Sequence, residues 1–138
     1  MRHVVFRIAT ERYALPLDAV REVVVPQPPF ARVPRVSEAV RGVMNLRGRV
    51  LAVVDLAALV GLPPQPLRGG TGQVLILEDQ GKRALGFLIG GVQGVEPLTP
   101  GSEAPGLVRG VAAAGAGAVT VLGVGPLLET ALGLFGER

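Results

Sequence analysis

The sequence predicts a mainly β fold: two related lobes of short strands on a shared hydrophobic core, with a few short helices. Three observations predict it. The 138 residues include 20 Gly and 12 Pro, yet 49% are hydrophobic and only 18% are charged. Disorder needs low hydrophobicity and high net charge, so here Gly and Pro punctuate many short elements. Residues 40–60 and 108–128 align without a gap at a constant offset of 68. Apolar runs such as 50–54 lack the polar half of an alternating pattern, which predicts burial on both faces where the lobes meet. A chain this long forms one compact domain or two small lobes and can bury roughly 65–70% of its extended surface.

Residues 4–8 are apolar and β-branched and read as the first strand. Glu11-Arg12 reads as a turn into a second strand over 13–17, where Pro16 marks an edge or a bulge. Residues 20–25 form a third run, and Pro26, Pro28, Pro29 and Pro34 break the next stretch into loop. Ser37 is placed to cap a one-turn helix over 38–41, closed by Gly42. Residues 43–46 and 50–54 flank Arg47-Gly48 and read as a hairpin, with Gly48 supplying the positive φ of a tight turn. Asp55 then caps a short helix through Leu59, stopped by Gly61 and Pro63. In the second half, strands at 74–77 and 84–89 flank a turn at Gln80-Gly81; a strand at 92–95 and a loop at 100–106 come next. Turns every 8–12 residues predict small barrels or sandwiches.

The repeat is specific. Val40-Arg41-Gly42-Val43 recurs as Val108-Arg109-Gly110-Val111, and Val53 and Leu59 recur as Val121 and Leu127. Upstream the match is weaker, pairing Ala14-Leu15 with Ala84-Leu85 and 20–23 with 92–95 as the offset grows from 70 to 72. By sequence the lobes are about 1–68 and 69–138 within one domain, a pseudo-twofold pair between which strands can cross; two copies are too few for a solenoid. The repeat also explains residues 110–128, 19 positions without a charge, a length that spans a bilayer. The first copy carries Arg47, Arg49 and Asp55, so the second reads as the same soluble unit stripped of polar residues. Residues 1–9 lack the features of a signal peptide.

Composition excludes much chemistry. The chain has no Cys, one His (His3), two Ser and one Asn, which leaves no thiolate, no zinc pair and no Ser-His-Asp set. No catalytic residue, metal or cofactor is expected. Net charge is +3, carried by 13 scattered Arg and one Lys, with four Phe and one Tyr; a nucleic-acid groove clusters both kinds of residue. Gly69-Gly70-Thr71-Gly72 and Gly115-Ala116-Gly117 lack a phosphate-loop ending and read as loop tips. Glu78-Asp79 reads as part of a solvated turn. Two features remain. Glu22 interrupts an apolar run and, on an alternating strand, shares a face with Val20 and Val24; it is either a protective edge charge or a charge set into a binding surface. Asn45-Leu46-Arg47-Gly48-Arg49 holds the only Asn and by itself reads as a hairpin turn.

Taken together these residues resemble the CheW-like coupling proteins of bacterial chemotaxis, over roughly residues 4–128. The resemblance rests on Tyr13-Ala14-Leu15-Pro16-Leu17, Val20-Arg21-Glu22-Val23, Gly42-Val43-Met44-Asn45-Leu46-Arg47-Gly48, Val53-Val54-Asp55-Leu56, Gly86-Phe87-Leu88-Ile89 and Arg109-Gly110-Val111. It implies two small five-stranded β-barrel subdomains packed on a shared hydrophobic core. It implies a cytoplasmic, non-enzymatic adaptor at the inner face of the membrane, monomeric when isolated. The implied partners are the regulatory domain of a CheA-type histidine kinase and the cytoplasmic tip of a methyl-accepting chemoreceptor, with no nucleic acid and no membrane insertion. The chain ends soon after the second lobe and reads as the stand-alone adaptor form. The partner-binding set is expected to be Val20, Glu22, Val24, Asn45, Leu46, Arg47 and Gly48. Two departures fall in the second lobe: Gly90 or Gly91, and Gly123, stand where the family commonly has acidic residues, so only first-lobe contacts are carried over. A related adaptor of a pilus-motility or other chemosensory-like pathway is the alternative within the class; a small β-barrel RNA-binding protein is the alternative outside it.

Overall fold

A computed structural model describes residues 1–26, 30–34, 36–66, 72–79, 83–100, 104–115 and 117–135. Their elements are β1 (Arg2–Ile8), β2 (Glu11–Pro16), a 3-10 turn (Leu17–Ala19), β3 (Val20–Val24), β4 (Val40–Leu46), β5 (Arg49–Asp55), α1 (Leu56–Leu59), β6 (Gln73–Asp79), β7 (Arg83–Ile89), β8 (Gly91–Pro97), β9 (Val108–Ala114), β10 (Gly117–Leu122) and α2 (Val124–Gly133). They form two five-stranded sheets, ordered β8-β1-β2-β10-β9 and β3-β6-β7-β5-β4. Replacing each strand by its repeat mate, β1 by β6 through β5 by β10, turns the first order into the second. Each sheet draws strands from both halves of the chain. One parallel contact in each, β2 with β10 and β5 with β7, joins hairpins from different halves.

The expected barrels do not close by hydrogen bonds. Among the described residues no ladder joins β8 to β9 or β3 to β4. The second sheet shows why: the outer edge of β4 is occupied by Ala31, whose N–H and C=O bond Val43 at 3.0 and 2.9 Å, so β3 has no edge to join there.

Period-2 alternation sends side chains into three clusters. Val5, Ala14, Leu98, Ala112, Ala114, Val119 and Val121 pack on one face of the first sheet. Leu51, Val53, Val74, Ile76 and Leu88 do so on the second. Between the sheets lies the shared core, where Phe6, Ile8, Tyr13 and Leu15 meet Leu75, Leu77, Leu85, Phe87 and Ile89. Leu56 of α1 and Leu127, Leu128 and Ala131 of α2 complete it. Strands β6 and β7 feed both neighbouring clusters, which explains their nearly continuous apolar sequence. Val50 departs from the expected double burial: it is 77% exposed, because β5 has run past the core at that end.

Several local expectations shift. The first turn lies at Ala9-Thr10, with Ala9 at φ 55°, and Glu11 and Arg12 already belong to β2. Pro16 ends β2 rather than marking a sheet edge, since β2 sits between β1 and β10. Ser37 does not start a helix. Its Oγ accepts the Ala39 N–H at 3.1 Å and its carbonyl the Val40 N–H at 3.0 Å, a turn that feeds directly into β4. Glu78 and Asp79 end β6. The Gln80-Gly81 turn and most of the 69–72 loop lie outside the described residues. The uncharged segment 110–128 is split among β9, β10 and α2. Among the described residues no helix is long and apolar enough to cross a membrane.

Candidate functional site

The β4–β5 turn places the site. Arg47 and Gly48 both take positive φ, 51° and 85°, the geometry of a two-residue hairpin turn that matches strand twist. Asn45 sits before it and its Oδ1 accepts the Gly48 N–H at 2.8 Å, fixing a conformation that is unfavourable for an arginine. The turn therefore aims Arg47 at β3, where its Nη2 donates to Glu22 Oε1 at 2.5 Å. This hydrogen bond, with the Arg47 charge, holds the Glu22 carboxyl below its usual range, and the carboxylate in turn raises Arg47. Beside it Arg21 reaches Glu78 at 3.1 Å.

The alternation expected for β3 is corrected by a bulge. The register shifts between Val20 and Glu22. Val20 lies opposite Leu77 and packs on the shared core, whereas Glu22 and Val24 lie opposite Ile76 and Val74 on the other face. Glu22 thus shares a face with Val24 but not with Val20. β3 is an edge strand of its sheet.

A groove of about 660 Å³ opens at this end of the second sheet. Glu22, Leu46 and Arg47 line it; Val20, Val24, Asn45 and Gly48 do not, and they act behind it through packing and turn geometry. Its apolar lining also takes in residues that the sequence did not mark as a site: Val50 and Ala52 of β5, Leu132 of α2 and Phe135 just after it. The exposed Val50 was hidden in a run that looked buried. No sequence signal brought residues 132 and 135 to it, since the approach is tertiary.

At the far end of β5 from Arg49, Asp55 is buried among donors. Its carboxylate accepts the Ala57 N–H at 3.1 Å, the Gln65 N–H at 2.9 Å, Gln65 Nε2 at 2.7 Å and Arg41 Nη1 at 3.0 Å. Gln65 Nε2 also bonds the Leu88 carbonyl at 2.6 Å. The cluster caps α1 and pins the segment after it to β7. The second copy lacks this arrangement because Asp55 corresponds to Gly123, where a Cβ would lie 2.6 Å from the Gly106 carbonyl oxygen. Gly90 is equally confined, with a built Cβ 2.6 Å from the Arg7 carbonyl oxygen, while Gly91 has room. At the positions matching Glu22, Arg47 and Arg49 stand Gly94, Gly115 and Gly117, so the charged cluster belongs to the second sheet alone. Among the described residues no group of acidic or histidine side chains is arranged to hold a metal.

Comparison with known proteins gives a consistent result. The family model of the CheW-like domain matches residues 2–131. Protein PilI of Pseudomonas aeruginosa is 36% identical over 73 residues, covering 53% of this chain and 40% of that protein. A probable chemotaxis protein CheW of Rhizobium etli is 30% identical over 96 residues, covering 70% of this chain and 60% of that protein. In both cases the match spans less than two thirds of the relative's length. The crystal structure of the scaffolding protein TtCheW from Thermoanaerobacter tengcongensis superposes with a TM-score of 0.75 at 27% identity, covering 88% of this chain and 83% of that one.

Proposed function

The chain belongs to the CheW-like domain family, a family of scaffold proteins of chemotaxis and related chemosensory pathways, and from that premise we propose that it couples chemoreceptors to a CheA-type histidine kinase. In this reading it is a cytoplasmic adaptor, monomeric when isolated, that reaches the inner face of the membrane through receptor arrays. The observation that carries it is the groove at the β4–β5 hairpin, which sets the Glu22–Arg47 pair beside an apolar floor. Apolar area supplies affinity and charged groups fix register and exclude wrong partners. A scaffold of this kind does its work by geometry: holding receptor and kinase in one relative orientation lets a receptor state bias the kinase equilibrium.

Affinity capture from native lysate followed by mass spectrometry tests the reading. Recovery of a histidine kinase together with a chemoreceptor supports it, and their loss with Glu22→Arg or Arg47→Glu supports the site. Equal capture by both variants removes the site assignment; capture of neither partner by the wild type removes the function. The similarity to PilI favours a second reading within the class, an adaptor of a pilus-type pathway. Recovery of a kinase whose neighbouring genes encode pilus components would select it.

A further inference from the structure

We propose that β9 is a docking edge, and that its occupant is β9 of a second copy of this chain, paired antiparallel about a twofold axis at Ala112. The contact is separate from the groove and does not depend on the coupling function. Of the four edge strands, β8, β9, β3 and β4, three are guarded. The outer edge of β4 is taken by Ala31. β3 has a bulge and the charged Arg21 and Glu22. β8 has a bulge, Glu96 and a terminal Pro97. Bulges, charges and proline are devices that keep an edge from pairing. β9 has none of them from Gly110 to Ala114; its bulge and its one charge lie at Arg109.

The repeat tells which groups this edge offers. Val111 is the mate of Val43, and the two hairpins share a register, with Ala114 opposite Gly117 as Leu46 is opposite Arg49. Val43 turns its N–H and C=O outward to Ala31. Val111 turns the same groups outward, and among the described residues nothing takes them. By alternation Ala113 does so as well. Both residues are exposed, Val111 at 53%, while Ala112 and Ala114 are buried in the cluster of their own sheet.

The size and charge of this window select the occupant. At one end the Arg109 carbonyl already accepts the Ala104 N–H at 2.8 Å; at the other the chain turns at Gly115, φ 60°. A longer foreign strand meets an obstruction at either end, whereas a second copy presents a window of the same length. The window also carries no charge by which an oppositely charged partner would be chosen. With the axis at Ala112, Val111 of each copy faces Ala113 of the other, and each such pair exchanges both N–H···O=C bonds. Moving the axis to Val111 or Ala113 sets an outward group against the occupied Arg109 carbonyl or against the turn. The two Arg109 positions then lie about 20 Å apart along the strands, beyond the screening length. A twofold contact of this kind closes on itself. It buries less than the roughly 1,000 Å² of a stable complex, so the dilute protein is monomeric and the pair forms at the high local concentration of an assembly.

Sedimentation velocity of the full chain from about 1 μM to about 1 mM tests the pairing. The wild type is expected to shift from monomer towards dimer across the series. Val111→Lys, which places two charges beside the axis on an exposed face, should stay monomeric with an unchanged circular dichroism spectrum. Ala113→Pro, which removes an outward N–H and spares the β10 ladder, should do the same. Register is read by oxidative cross-linking, since the chain has no Cys. A mixture of Val111→Cys and Ala113→Cys proteins should give the mixed disulfide above its statistical share. A statistical mixture, or dimerisation that Val111→Lys leaves unchanged, would overturn the pairing. A wild type that is monomeric throughout would also overturn it, and loss of kinase capture by Val111→Lys would then assign the edge to the kinase.

Discussion

Arg47 Nη2 lies 2.5 Å from Glu22 Oε1, so a side-chain pair spans the two ends of a sheet that no backbone ladder joins. β3 is the first strand of that sheet, and Arg47 leaves its last strand, β4. The pair is solvent-accessible, with the Arg47 side chain 67% exposed, and exposed pairs contribute little to stability. Glu22→Gln and Arg47→Gln should therefore leave the melting temperature nearly unchanged. The pair has a clear pH signature. The Glu22 pKa is depressed mainly by the hydrogen bond from Arg47, so the interaction is complete above the usual carboxylate range and is lost as pH falls through the depressed value. Carboxyl-carbon NMR should find Glu22 titrating below an ordinary glutamate, and Arg47→Gln should return it upward. An unshifted Glu22 in the wild type would mean the pair does not form in solution.

Asp55 is the opposite case. Its side chain is 2% exposed and every contact is internal. Asp55→Ala takes the acceptor from the Ala57 and Gln65 backbone N–H groups and the counter-charge from Arg41, and breaking a buried charged pair costs about 3 kcal/mol. Asp55→Asn keeps one acceptor and should fall between. Urea unfolding reads this as a lower midpoint at constant m. A midpoint unmoved by Asp55→Ala would show that the segment after α1 is not held by this cluster in solution.

Gly42 combines two constraints. Its φ is 137°, and a Cβ there would strike the Ala31 carbonyl oxygen and lie 2.8 Å from Phe30 Cβ. That carbonyl is the acceptor for the Val43 N–H, so a side chain would push Ala31 off the β4 edge. Gly42→Ala is expected to destabilise by about 1–3 kcal/mol and to speed amide exchange at Val43. Unchanged protection at Val43 would separate the backbone strain from the bridge.

What the sequence carried and what it withheld divides along physical lines. The repeat survives in residues because the same five-strand-and-helix unit must be specified twice; Asp55 as helix cap and Arg47-Gly48 as turn come from local backbone chemistry. The bulge that separates Val20 from Glu22 did not show, because an inserted residue in a valine-rich strand leaves the apolar pattern intact. Nor did the missing closure: whether Ala31 or β3 takes the β4 edge is a competition between distant segments. The groove floor is the same kind of problem, uniting Val50 with Phe135 across most of the chain.

Tyr13 offers a last check on the shared core. It stacks on Phe6, its cross-strand neighbour, with ring centroids 6.3 Å apart, and its hydroxyl donates to Glu11 Oε1 at 2.5 Å. Burial, reinforced by that hydrogen bond and the nearby Glu11 charge, pushes its pKa up from 10.0 to about 12. A raised folded-state pKa favours the native state fully below pH 10, and the advantage is lost as pH climbs toward 12, because the unfolded chain gives up the proton first. The chain has one Tyr and no Trp, so phenolate absorbance reports this group alone. The native protein should titrate near 12 and the urea-unfolded protein near 10. Tyr13→Phe should remove that component of the alkaline loss of stability while keeping the stacked pair. Glu11→Gln should lower the native midpoint without bringing it to 10, since burial is the larger cause. A native midpoint at 10 would place the ring in water and contradict the packing of β1 on β2.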